Sequence, residues 1–252
     1  LVKNAIGIDI GGTGIKAALV DVNSGALESE RIRVETPEGG MPSDIALAVA
    51  ELINQLKDSE DHSAVGICFP AVVQDGFTRS AANVSEDWIG LDAESLFADA
   101  LKRRVHVLND ADAAGIAEMR FGAGRGAKGL TIMTTLGTGI GTALFYDSQL
   151  IPNAELGHIE IDGVDYETMA SYAAMERDHL SFPDWALRLN RFYQELERLL
   201  SPDLFIVGGG ISKKHDSFLP LLELRTKIIA AETRNAAGII GAASLAAQIF
   251  RG

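Results

Sequence analysis

The chain has 252 residues, 47% hydrophobic and 23% charged, enough for one large or two small domains with an ample core. Its formal net charge of −13 argues against general nucleic-acid binding, which depends on neutralising phosphates with Lys and Arg. No run reaches the roughly 18 apolar residues of a membrane span, and no signal-peptide pattern is visible. Cys68 is the single cysteine, so no disulfide framework or multi-cysteine zinc site is expected. These points favour the cytoplasm, with no nucleic-acid or membrane partner.

Ala5–Ile10 reads as an apolar strand, Gly11-Gly12-Thr13-Gly14 as a turn and Ile15–Asp21 as a second strand, together a β-hairpin. Its tip offers backbone N–H groups, the Thr13 hydroxyl and the Lys16 ammonium to a phosphate chain. Asp9 sits just before the tip, where a carboxylate can hold Mg²⁺ through its waters. The plain alternative is a Gly-rich hairpin with a charged tip. A third strand is expected over Leu27–Val34. From Met41 to Lys57, the residues Ile45, Val49, Leu52 and Leu56 fall on one helix face. Ala64–Phe69 is expected to be a buried strand ended by Pro70, with Cys68 a small core residue. Asn83 and Trp88 offer an amide and an aromatic face, both common around sugars, although Trp88 serves equally as a core anchor. Leu91–Arg104 reads as a helix capped by Asp92, with Lys102, Arg103 and Arg104 at the end where cations suit the dipole.

Val105–Leu108 is a strand that stops at Asn109-Asp110, at the start of a helix over Ala111–Phe121. The C-terminal end of a strand is where α/β sheets expose functional groups. Asn109 can bridge two hydroxyls and Asp110 can take a hydroxyl proton, or Asp110 is no more than a helix cap. From Met119 to Tyr146 there is no acid, while Arg120, Arg125 and Lys128 are present. These cations either guide a polyanion or are ordinary solvated charges.

The strand Leu130–Thr135, the turn around Gly137-Thr138-Gly139 and the strand ending at Asp147 repeat the first hairpin. Gly11 matches Gly137, Ala17 matches Ala143 and Asp21 matches Asp147. Two phosphate-type hairpins, one in each half, suggest two similar α/β lobes facing a nucleotide or polyphosphate. Glu155 and His158, with Glu160, Asp162, Asp165 and Glu167 behind them, alternate acceptors and donors in a way that suits a polyol ring. A cation site at His158 competes with that reading, but no HExxH or Cys spacing supports it. Helices are expected over Asp165–Asp178 and Pro183–Leu200. A short buried strand, Leu204–Val207, runs into Gly208-Gly209-Gly210, a strand-to-helix turn where backbone approaches a phosphate or ribose. Lys213, Lys214 and His215 form a further basic cluster. The last helix, Ala236–Phe250, is rich in small residues and is expected to pack back on the first lobe. The expected division is a small α/β lobe of residues 1–108 plus 236–252 and a large α/β lobe of residues 109–235, hinged near Asn109.

As a set, these segments resemble the ROK family of sugar kinases and repressors. Asp9-Ile10-Gly11-Gly12-Thr13 is similar to its first phosphate motif, Leu136-Gly137-Thr138-Gly139 to its second, and Phe205-Ile206-Val207-Gly208-Gly209-Gly210 to its adenosine-side motif. Asn109-Asp110-Ala111-Asp112 is similar to its catalytic segment. The resemblance implies a two-lobed actin/hexokinase/Hsp70-like ATPase fold built from ribonuclease H-like repeats, with Asp110 as general base. It also implies that Asn83, Asn109, Asp110, Glu155, His158 and Glu167 hold the sugar, and that a homodimer forms.

The family's usual His-plus-three-Cys zinc insert is missing, since only eight residues separate His158 from Glu167 and none is Cys. Pro70-Ala71 stands where the family has Pro-Gly, and Asp112 where it has Asn. The shortened insert and the segments Phe69–Val73 and Ser85–Gly90 resemble the polyphosphate glucokinase branch. That branch implies phosphoryl transfer from inorganic polyphosphate or ATP, with Mg²⁺, to the 6-hydroxyl of glucose and also mannose. No helix-turn-helix segment of the repressor branch is visible. The alternatives are a strictly ATP-dependent hexose or N-acetylhexosamine kinase and a non-catalytic sugar sensor.

Overall fold

Runs of β-branched and aliphatic residues fix the strands, and the computed structural model describes residues 3–56 and 64–250. β1 (Asn4–Gly11) and β2 (Gly14–Asp21) form the first hairpin. β3 (Ile32–Val34), α1 (Pro42–Asn54) and the wholly buried β4 (Val65–Phe69) follow. After them come the small hairpin β5 (Val73–Gln74) and β6 (Phe77–Thr78), α2 (Ala93–Leu101), β7 (Val105–Asn109) and α3 (Asp110–Phe121). The second half holds β8 (Leu130–Leu136), β9 (Ile140–Tyr146), β10 (Gln149–Ile151), β11 (Glu160–Ile161) and β12 (Val164–Asp165). It continues with α4 (Glu167–Ala170), α5 (Tyr172–Arg177), α6 (Phe182–Leu200), β13 (Leu204–Gly208) and β14 (Lys227–Ala230), and α7 (Ala237–Ile249) is the last helix among the described residues.

The two main sheets repeat one plan. Their orders are β3-β2-β1-β4-β7 and β10-β9-β8-β13-β14. In each, an antiparallel meander supplies three strands and two parallel strands complete the sheet. The parallel central strands β4 and β13 are buried along their whole length. Parallel strands covered on both faces read as continuous apolar runs, which is why they stand out in the sequence.

The chain divides into two compact units, Leu1–Ala117 with Ala236–Gly252, and Glu118–Asn235. The first break falls inside α3 and not at Asn109, which makes the first unit the larger. The cause is backbone packing between α7 and the start of α3. A Cβ on Gly241 would lie 1.7 Å from the Ala113 carbonyl oxygen, and one on Gly66 of β4 would lie 1.9 Å from that of Ala242. Only glycine permits both approaches. The last helix therefore belongs to the first unit.

Trp88 lies at the centre of the first unit's core, fully buried, with Phe69 at 4.4 Å and Phe97 at 5.7 Å between ring centroids. Its indole N–H donates to the Gly40 carbonyl at 2.9 Å, so Trp88 is a core anchor and presents no face to a sugar. Trp185, Phe192, Tyr193, Phe205 and Phe218 fill the second unit's core. Burying each such side chain contributes about 1.5–3 kcal/mol relative to exposure.

Several elements differ from expectation. The third strand shrinks to Ile32–Val34 because Ser29 Oγ accepts the Leu19 N–H at 3.0 Å, replacing a ladder carbonyl. The helix expected over Asp165–Asp178 is two helices. Ser171 breaks it in an extended conformation, and its hydroxyl caps α5 from Ala174 N–H, a role serine prefers to a helix interior. Gly208-Gly209-Gly210 leads into a 3-10 stretch over Gly210–Ser217, not an α-helix. Asp92 does cap α2, accepting from Ser95 N–H at 2.9 Å. Lys57, at the end of the first expected helix, lies outside the described residues.

Candidate functional site

The residues expected to carry chemistry fall into two groups, one in each unit. In the first unit, the β1–β2 register pairs Asp9 with Lys16 and Gly11 with Gly14, leaving Gly12-Thr13 as the turn. Lys16 Nζ donates to Asp9 Oδ2 at 3.0 Å. The Cys68 thiol donates to Asp9 Oδ1 at 3.5 Å, and burial pushes its pKa well up, so it stays neutral. Two side chains brace the tip from β3 and its exit. Arg33 Nη2 donates to the Thr13 carbonyl at 2.9 Å and Thr36 Oγ1 to that of Gly11 at 2.5 Å. Gly12 touches the loop of exposed Asn83, where a Cβ would lie 2.8 Å from the Asn83 Cβ. Asn83 itself is left-handed, at φ 62°, a conformation asparagine tolerates. The hairpin tip and the amide expected to contact the sugar are thus neighbours.

Asn109, not Asp110, is the cap of α3. Its Oδ1 accepts from Ala111 N–H at 2.8 Å and from Asp112 N–H at 3.1 Å, and its Nδ2 donates to the Ala71 carbonyl at 3.1 Å. Both lone pairs and one N–H are committed, so Asn109 keeps one N–H for a ligand and cannot bridge two hydroxyls with both ends of its amide. Asp110 is the first residue of α3 and is exposed, with Oδ1 near its own helix's Ala111 N–H at 2.8 Å. The first turn of a helix favours the ionised carboxylate.

In the second unit, β8 and β9 pair Leu136 with Ile140 around the turn Gly137-Thr138-Gly139. Glu167, at the start of α4, accepts the Ile140 N–H on Oε2 at 2.7 Å, and a Cβ on Gly139 would lie 2.4 Å from that oxygen. One of its two oxygens is therefore spent on the second hairpin, a contact its expected sugar role did not include. Glu155 precedes, and His158 ends, a short 3-10 turn, Leu156–His158, that docks on β9. Thr142 Oγ1 donates to the Ala154 carbonyl and accepts from Leu156 N–H at 2.9 Å. Gly157 lies so close to Ile140 that a Cβ would fall 2.0 Å from its carbonyl oxygen.

The His158 ring shares a hydrogen bond between Nδ1 and Asp165 Oδ2 at 2.9 Å. That bond raises the His158 pKa above its ordinary value, against partial burial and with help from the Glu167 and Asp165 charges. Burial likewise raises the pKa of the Glu155 carboxyl; the His158 charge opposes the shift and the Glu167 charge adds to it. Gly209, at φ 84°, packs on the end of β8, where a Cβ would lie 2.3 Å from the Leu136 carbonyl oxygen, while Gly210 is open. Arg125 and Lys128 are exposed on the loop after α3, and Arg120 is half-buried.

The sequence reading missed two residues. Glu118 is fully buried and accepts from the backbone N–H groups of Ala123, Glu232 and Thr233 at 2.8, 3.1 and 2.6 Å, fixing the loop that carries Arg125. Its signal was an acid in the otherwise uncharged stretch Ala113–Met119. Arg33 was signalled by the alternation Arg31-Ile32-Arg33-Val34, which puts one charge per two residues on one strand face.

Among the described residues no group of three or more His, Cys, Asp or Glu could hold a metal ion. A lone carboxylate such as Asp9 suits Mg²⁺ that keeps its waters and takes its remaining ligands from substrate phosphates.

Two α/β units with one repeated sheet order, each with a Gly/Thr hairpin at one strand pair, define a phosphate-handling protein of the actin/hexokinase-like ATPase fold. Residues 5–175 match the ROK family, and the chain belongs to that family. The polyphosphate glucokinase of Mycobacterium tuberculosis is 43% identical over 242 residues, covering 96% of this chain and 90% of the relative. The crystal structure of the inorganic polyphosphate/ATP-glucomannokinase from Arthrobacter sp. strain KM matches with a TM-score of 0.93 at 51% identity, covering 98% of this chain and 99% of that one. A ROK family glucokinase from Streptomyces griseus, in complex with glucose and AMPPNP, matches with a TM-score of 0.83 at 28% identity, covering 97% and 99%.

Proposed function

We propose that the chain is a sugar kinase that transfers the terminal phosphoryl group of inorganic polyphosphate or ATP to the 6-hydroxyl of glucose, with mannose as a second acceptor. The observation that carries the chemistry is Asp110, an exposed carboxylate at the C-terminal end of β7, with Asn109 as the cap that fixes its helix. Asp110 takes the hydroxyl proton as the phosphoryl group moves in line from donor to sugar oxygen. Glu155, His158 and the unspent oxygen of Glu167 hold ring hydroxyls, with Asn83 and the remaining Asn109 N–H as donors. Burial raises the Glu155 pKa, and its carboxyl oxygens are acceptors for ring hydroxyls.

Gly11, Gly12 and Thr13, with Gly137, Thr138 and Gly139, bind phosphate through turn N–H groups and hydroxyls. Gly209 and Gly210 lie on the adenosine side when the donor is ATP. Lys16, Arg120, Arg125 and Lys128 guide a longer polyphosphate. Asp9 would hold hydrated Mg²⁺, which when bound neutralises charge on the donor phosphates. The working form is a homodimer in the cytoplasm. No helix among the described residues is long and apolar enough to cross a membrane, which is compatible with that location.

The test is glucose 6-phosphate formation by the purified protein with Mg²⁺, supplied with nucleotide-free polyphosphate or with ATP. Product from polyphosphate alone is the expected result. Product from ATP alone assigns an ordinary glucokinase, and none from either donor removes the reading.

A further inference from the structure

We propose that Arg33 is a donor-specificity residue. With Lys16 it makes a cationic pair beside the first hairpin that grips phosphates of a polyphosphate chain beyond those an adenine nucleotide presents. The proposal deepens the phosphoryl-transfer reading above and rests on it. The strand register carries it first. Asp9 is opposite Lys16, and Lys16 is opposite Arg33, so three charged side chains stand in a row on one sheet face. Asp9 pairs with Lys16 through Oδ2, at 3.0 Å. Arg33 has no carboxylate partner among the described residues, and its guanidinium is held by a neutral carbonyl, that of Thr13. Like charges directly opposite each other in a sheet are destabilising. Asp9 balances the charge of Lys16 and leaves that of Arg33 unbalanced, so an anion beside the row is held first by the Arg33 guanidinium.

The guanidinium is also preorganised. It lies flat on the turn at Gly14, where a Cβ would fall 2.6 Å from Nε and 2.7 Å from Nη2. Any other residue at position 14 would push it away. One N–H of Nη2 goes to Thr13, and the rest of the fork is exposed and geometrically matched to phosphate oxygens. Because Arg33 is one strand further out than Lys16, it meets the part of a chain that leaves the turn. ATP ends its phosphates at three and continues as a nucleoside, while polyphosphate continues as charge. At the second hairpin Thr142 stands where Lys16 does in the first, and a carboxylate, that of Glu167, takes the Ile140 N–H.

The test measures binding of inorganic polyphosphate of graded length by calorimetry, without sugar, to the wild type, Arg33→Gln and Arg33→Lys. For long chains Arg33→Gln is expected to weaken binding by about fivefold to tenfold. Tripolyphosphate should be affected much less, and Arg33→Lys should recover part of the loss. The slope of log Kd against log salt should fall by about one. Donor KM values should follow, with the polyphosphate value rising more than the ATP value. Equal weakening for tripolyphosphate and long chains would reduce Arg33 to a brace for Thr13 and overturn the proposal. Unchanged affinity at every length overturns it as well, as does a wild type that binds no polyphosphate. If the wild type binds polyphosphate yet forms no sugar phosphate, the kinase reading fails, and the binding series still decides the role of Arg33.

Discussion

At the first hairpin, Lys16 and Arg33 stand beside the turn; at the second, Glu167 does. The two turns come from sheets of the same strand order, so the strand plan is constant, and the turn length and the flanking charge are what differ. A two-residue turn with cations beside it attracts phosphate. A three-residue turn whose Ile140 N–H is already taken by a carboxylate is a weaker anion trap. Its unit also holds Glu155, His158 and Asp165, of which the proposed function gives Glu155 and His158 to the sugar hydroxyls. In the proposed function both hairpins bind donor phosphate, and the second adds, through Glu167, a contact to the acceptor sugar.

The comparison can be broken in several ways. Asp110→Ala should lower kcat by about 10²–10⁴-fold with polyphosphate and ATP alike. Its melting temperature should hardly change, because Asn109 supplies the cap of α3. Activity retained near wild type would remove the general-base role. Glu167→Gln keeps an oxygen for Ile140 N–H and removes the charge. Steady-state kinetics should show glucose KM rising about tenfold, from loss of a charged hydrogen-bond acceptor, with donor KM unchanged or lower. A matching rise in donor KM would mean that Glu167 serves the second hairpin's hold on the donor as much as the sugar.

Replacing Arg125 and Lys128 together with Ala should raise the polyphosphate KM about threefold, as exposed charges allow, and the ATP KM less. An equal change for both donors would leave these cations as solvated loop charges.

The smallest effect concerns His158. Its folded pKa lies above the ordinary 6.5 because of Asp165. The pair therefore favours the folded state fully below that ordinary value and loses the contribution as pH rises through the raised one. Asp165→Asn should lower the His158 titration midpoint followed by NMR of the ring proton. The wild type's stability advantage over this variant should shrink as pH rises through the wild-type midpoint.

Much of this architecture was legible because it is local or periodic. Val65–Phe69 and Leu204–Val207 are uninterrupted apolar runs, Asp92 precedes its helix with the right spacing for a cap, and both hairpins show a Gly/Thr turn between apolar strands, although their turns differ by one residue. The chemistry-bearing residues were legible as types and not as partners. Nothing within a few positions of Asn109 shows that Ala71 takes its amide, since that contact forms only when β4 and β7 pair side by side. Glu167 looked free for a sugar because Ile140, 27 residues earlier, gives no local sign of reaching it. Lys227–Ala230 escaped notice as a strand because it is short and half-buried at a sheet edge, where alternation is weak. Ser171 broke a helix whose apolar spacing continued through it.

The seating of α7 on β4 and α3 has a consequence for biosynthesis. The first unit is discontinuous in sequence: its closing helix follows all of residues 118–235. During translation, β1, β2, β4 and β7 leave the ribosome with one sheet face unclothed, and the continuous second unit is complete before that face is covered. The usual rule that the N-terminal domain matures first is therefore reversed here. The nascent chain carries an apolar sheet surface through most of its synthesis, and the interval in which it needs protection ends only when Ala237–Ile249 emerge.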